Sequence, residues 1–191
     1  MKQLILSLFI LVLYSVKTIA FNANVQISTF RSSESNYVEL EYFFWGKSLS
    51  FTPLNPQDSF FVVGKIEVTV LFKQFDNIVK FDKYILTSPG FRGPHNFSDL
   101  RRYTLENGEY DIQIDMKDAL NPKNAESYKG KINIEYNESR IGISDIMLLS
   151  DFKKDTANSP IAKSGYIMAS LPGDFCSSDL NKMGIYFEIY N

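Results

Sequence analysis

The chain has 191 residues, 20 basic and 22 acidic, with a formal charge of -2 and an isoelectric point near 5.5. That balance, with no run of lysine or arginine, excludes a protein that follows a nucleic-acid backbone. The lone Cys176 cannot close an intramolecular disulfide, and the lone His95 leaves His/Cys zinc sites and a Cys–His dyad short of members.

The first element is a leader. In "MKQLILSLFILVLYSVKTIA", Lys2 gives a basic start, an apolar run follows, and Thr18-Ile19-Ala20 offers small residues for cleavage after Ala20. A spanning helix needs about 20 apolar residues, and Lys17 cuts this run short. Residues 1–20 are therefore read as a signal peptide, and the mature chain as exported to periplasm, cell surface or medium with no membrane span.

The mature chain alternates with period 2. "NVQISTF" (24–30) and "YVELEYFFWG" (37–46) come first, the latter with Val38, Leu40, Tyr42 and Phe44 inward. A short strand closed by Pro53 follows. "VVGKIEVTVLFKQ" (62–74) then turns at Phe75-Asp76-Asn77 into "IVKFDKYILTS" (78–88). "DLRRYTL" (99–105), "GEYDIQIDMKD" (108–118) and "SYKGKINIEYN" (127–137) complete the series. Short alternating strands with Gly/Pro/Asn/Asp turns and no helical spacers predict an all-β, Ig-like antiparallel β-sandwich over 21–138. Ile66, Val68, Val70, Ile112, Ile114, Ile132 and Ile134 are expected in its core, with Lys65, Glu67, Asp111, Asp115 and Glu135 outside.

Leu105, Gly108 and Tyr110 form a predicted structural corner. In Ig-like sandwiches, a tyrosine near the start of one strand bonds back to the backbone a few residues upstream. Gly108 supplies a backbone conformation closed to other residues, and the hydroxyl of Tyr110 is expected to reach a backbone group within 104–108.

A polar break at 137–140 restarts the pattern. "RIGISDIMLLSDF" (140–152), "SGYIMASL" (164–171) and "MGIYFEIYN" (183–191) read as further strands. Residues 139–191 are few for a free-standing sandwich of about 100 residues. They are read as the beginning of a second, incomplete β domain whose Ile143, Ile146, Leu148, Ile185, Phe187 and Ile189 follow strand patterns but lack enough partner strands to make two closed sheets.

"VQISTFRSSESNYVELEYFFWGKSL", "GKIEVTVLFKQFDNIVKFDKYILTSP", "LENGEYDIQIDMKD", "ISDIMLLSDFKK" and "AKSGY" before "IYFEIYN" resemble, in that order, the N-terminal half of the GWxTD-domain proteins. The resemblance covers nearly all of 21–191 and implies a bacterial exported protein built of β domains. The Gly-Trp-x-Thr-Asp element itself is absent, Trp45 standing before Gly46, so the resemblance transfers no catalytic residue.

Candidate chemistry is sparse. Glu39 and Glu41, like Asp111 and Asp115, are expected on solvated sheet faces, where they would not form the paired carboxyls of a glycosidase cleft. Asp118, Asn121 and Asn124 offer calcium ligands without EF-hand order. No cofactor and no metal are expected, and the sequons at Asn96 and Asn137 are set aside for a bacterial host. Two stretches are candidate binding surfaces: Phe43 and Trp45, facing outward where aromatics stack on a sugar or a partner, and Arg92 and His95 in the long connection "SPGFRGPHNFSDL" (88–100). The expected function is that of an exported, non-enzymatic structural or protein-interaction module whose partner is a protein or cell-envelope component. The alternative is a carbohydrate-binding accessory module using the Trp45 region.

Overall fold

Two antiparallel sheets close over one core. The computed structural model describes residues 21–137, 139–174 and 180–191, and the side chains of Asp58 and Asp174 stand outside the description. The expected signal peptide and Cys176 lie outside the described residues. The first sheet has the order β1 (Ala23–Arg31), β2 (Asn36–Phe44), β6 (Phe97–Thr104). In the second, β4 (Asp58–Gln74) lies between β5 (Asn77–Thr87) on one side and β7 (Gly108–Asp118) on the other, and β8 (Ala125–Ile134) follows β7. β3 (Phe51–Asn55) pairs the first part of β4.

Alternation explains the closure. Val68 faces Met116, Val70 faces Ile114 and Phe72 faces Ile112 across β4 and β7. All six are buried, together with Val38, Leu40, Tyr42 and Phe44 from β2 of the opposite sheet. Full burial of one such side chain contributes about 1.5–3 kcal/mol, so a register slip of one residue would forfeit a whole strand's share. Ile66, Ile132 and Ile134 are buried as expected, while Lys65, Asp111 and Glu135 are exposed and Glu67 and Asp115 half-buried. The β4–β5 hairpin turns on Phe75 and Asp76, both at positive φ (48° and 66°). A two-residue turn of that hand matches the strand twist.

Two boundaries differ from expectation. β4 begins at Asp58, and Pro53 sits inside β3 instead of ending it. Proline's missing N–H is tolerated there because, among the described residues, β3 pairs with β4 alone.

At the corner, Gly108 has φ 150° and Leu105 is buried. The Tyr110 hydroxyl donates to the Glu106 carbonyl at 2.9 Å, inside the 104–108 window. Tyr110→Phe is expected to cost about 0.5–1.5 kcal/mol, the net value of one hydrogen bond, read as a lower urea midpoint with an unchanged slope.

The described residues of 139–191 form small sheets laid against the sandwich. β10 (Met147–Lys154) pairs β11 (Tyr166–Ser170) on one side and β12 (Gly184–Tyr186) on the other, while β9 (Gly142–Ile143) pairs β13 (Ile189–Tyr190). The attachment is specific. Asp145 Oδ2 accepts from the Thr29 amide at 2.7 Å and hydroxyl at 2.9 Å, and the Arg31 amide donates to the Tyr190 hydroxyl at 3.0 Å. Phe30, Met147 and Leu149 make a second small core with Tyr37, Met168 and Tyr186 around it.

Candidate functional site

Glu39 shows what that attachment does to the outer face of the first sheet. Expected in solvent, it is only 2% exposed. Its Oε2 is 2.8 Å from Arg102 Nε and 3.0 Å from Lys163 Nζ. The Arg102 guanidinium also donates to the Pro160 and Ile161 carbonyls at 3.0 and 3.3 Å. Lys163 Nζ lies over the Phe30 ring, 3.0 Å from its centroid, with Tyr37 and Tyr186 beyond. Burial pushes the Lys163 ammonium below its ordinary pKa, and the facing Glu39 carboxylate opposes that shift. The expectation of a solvated acidic face fails because a segment more than 100 residues away in sequence covers it.

Glu41 is also taken out of bulk solvent. It stands opposite Gln26 in the β1–β2 ladder. Burial, the largest influence, raises its pKa against hydrogen bonds from Ser170. Gln26 and Glu41 line a small groove of about 120 Å³ with Asn24, Ser98, Ser150 and Ser170, and Phe43 adds an aromatic wall. Gln26 Oε1 and Glu41 Oε2 are buried acceptors without a protein donor, an arrangement suited to a hydroxyl or ammonium donor.

The four surface candidates divide into two groups. Phe43 and Trp45 are both half-buried and pack edge to face at 4.8 Å, so neither stands fully outward as expected. Trp45 leaves the strand because its amide bonds back to the Asn22 carbonyl and a short 3-10 turn, Gly46–Ser48, follows. Arg92 and His95 are exposed and belong to a second cluster. The Arg92 guanidinium lies over the Phe60 ring at 4.5 Å and reaches Phe61 at 5.9 Å. His95 stacks on Phe91 at 5.0 Å.

The connection carrying Arg92 and His95 is held firmly. Phe91 and Val62 exchange both backbone hydrogen bonds, at 3.0 and 2.8 Å. The Gly46 amide donates to Asn96 Oδ1 at 3.0 Å, and a Cβ on Gly46 would run into the His95 backbone. The loop thus joins the Trp45 region through backbone, while its Arg92 lies with Phe60 and Phe61 and its Phe91 packs against the main core beneath His95. Those two phenylalanines were missed from sequence. Adjacent Phe60-Phe61 breaks the alternation at the start of β4, and that break was the available signal.

Asp118, a calcium candidate, is fully buried and spends its oxygens on the amides of Ser50, Leu120 and Asn121. It shapes its own turn. Among the described residues no group of three or more His, Cys, Asp or Glu side chains could hold a metal ion, and no helix is long and apolar enough to cross a membrane. Comparisons of the chain with family models, with curated proteins and with solved structures find no match.

Proposed function

We propose that this chain is an exported, non-enzymatic interaction module that binds a protein or cell-envelope partner through the tip bearing Arg92. The carrying observation is a preorganised aromatic–cationic cluster: Arg92 on Phe60 and Phe61, His95 on Phe91, all on a loop fixed at both ends. Phe60, Leu54 and Arg92 are exposed there. Arginine is enriched in binding hot spots, and large aromatics bury much area with few rotamers to freeze. The resemblance to exported GWxTD-domain proteins and the leader pattern support export.

The test is capture of an envelope partner by the wild type and by Arg92→Ala and Phe60→Ala. Each substitution is expected to weaken capture by roughly 10-fold or more, the range of a hot-spot residue, while urea midpoints stay close to wild type. Undiminished capture by both variants would remove the tip from the binding surface.

A second reading, a carbohydrate-binding accessory module, draws on the groove beside Phe43 and its unpaired Gln26 and Glu41 acceptors. Sugar hydroxyls are donors of the right kind. Glycan-array binding lost in Phe43→Ala and Glu41→Gln but kept in Arg92→Ala would select this reading over the first.

A further inference from the structure

The β9–β10 and β12–β13 segments form one bent ribbon with two apolar faces. Ile143 stands opposite Ile189 and Leu148 opposite Ile185, and between those pairs the Ser144 amide donates to the Glu188 carbonyl. Met147, Leu149, Tyr186 and Tyr190 point to the sandwich. The alternate residues point away in two parallel rows: Ile141, Ile143 and Ile146 on one strand, Ile185, Phe187 and Ile189 on the other. All six are exposed, Ile143 by 56% and Ile189 by 67%. An antiparallel ribbon on a protein surface ordinarily turns polar residues to water. This one does not.

We propose that the stripe is the interface of a homodimer, packed face to face on the same stripe of a second copy about a twofold axis. Three features favour a second copy. Six side chains of this size offer on the order of 600 Å² of apolar area per copy, close to the roughly 800 Å² per partner of a standard interface and larger than most patches left bare on monomers. A twofold axis in the plane of the stripe and perpendicular to the strands lays each row on the same row of the other copy, run in the opposite direction, so the patch is self-complementary as an isologous contact requires. Exposed Arg140 marks one end of the stripe and exposed Asp151 the other, so an axis perpendicular to the strands brings opposite charges together at both rims. The proposal goes beyond the Arg92 tip and uses none of its residues.

The experiment is sedimentation equilibrium of the purified protein beside Ile143→Lys/Ile189→Glu, a pair that keeps a favourable cross-strand contact. The wild type is expected to sediment as a dimer, the double variant as a monomer, and Phe75→Ser, which removes the exposed turn phenylalanine, as a dimer. A variant that fails to fold is replaced by Ile146→Cys in a Cys176→Ser background. A short bismaleimide should cross-link that protein between two copies at high yield. A monomeric wild type, a folded double variant that remains dimeric, open-ended polymers, or no cross-link at residue 146 would each overturn the proposal.

Discussion

Glu39→Ala is expected to destabilise the protein by about 3–5 kcal/mol, because it leaves Lys163 without its carboxylate inside the contact between sandwich and C-terminal segment. Lys163 is held among Phe30, Tyr37 and Tyr186 at 9% exposure, where water cannot replace the lost charge. Arg102 suffers less, since it is partly solvated and keeps the carbonyls of Pro160 and Ile161. The loss should be local first. Hydrogen exchange in β10 and β11 should rise well before that of β4 and β7, whose core Glu39 does not touch. Replacing the pair together, as Glu39→Met/Lys163→Met, should recover most of the loss, because two apolar side chains need no counter-charge. A Glu39→Ala protein with wild-type protection in β10 and β11 would mean that this ion pair does not hold the segment.

Alkaline pH should unfold the protein. Burial raises the hydroxyl pKa of Tyr37, Tyr42, Tyr103, Tyr186 and Tyr190 above the ordinary value of 10.0; the Glu188 carboxylate adds to this at Tyr37, Tyr186 and Tyr190, and Tyr84 at Tyr42 and Tyr103. A folded-state pKa raised above the unfolded value means that the native state holds more protons above pH 10. Stability then falls as pH rises. The contribution is whole below the unfolded tyrosine pKa and is lost progressively above it. Lys163 acts in the opposite sense, since its depressed pKa makes the native state gain stability up to about pH 10.5. One lysine does not offset five phenols. Urea midpoints should be nearly flat up to about pH 9.5 and drop steeply beyond about pH 10.5, with tyrosinate absorbance appearing together with unfolding. Free titration of these tyrosines near pH 10 in the folded protein would contradict their burial.

Much of the sandwich was legible because its strands bury one face only. The alternation in "KIEVTVLF" and "EYDIQIDM" names the inward residues directly, and Leu105, Gly108 and Tyr110 mark the corner through conformational need and one hydrogen bond. The second face of a strand is another matter. Period 2 separates two faces without saying what covers each. Glu39 and Glu41 read as solvated by their type, and only the packing of residues near Lys163 and Ser170 shows that they are enclosed. The candidate site was half legible for a similar reason. Arg92 and His95 stood out in a Gly/Pro-rich connection, whereas Phe60 and Phe61 fell just before the strand expected at 62–74 and drew no expectation. Their role comes from the loop that lies across them.

Binding of a partner by the proposed Arg92 tip can be read in the host by site-specific photocross-linking. A photoreactive phenylalanine analogue replaces Phe60 in one protein and Phe75 in another. The second site is 96% exposed at the far end of β4, roughly 45–50 Å along the strand. A discrete adduct with an envelope component is expected from position 60, lost when Arg92→Ala is added, and none from position 75. Equal labelling from both positions, or none from position 60 in a folded and exported protein, would contradict it.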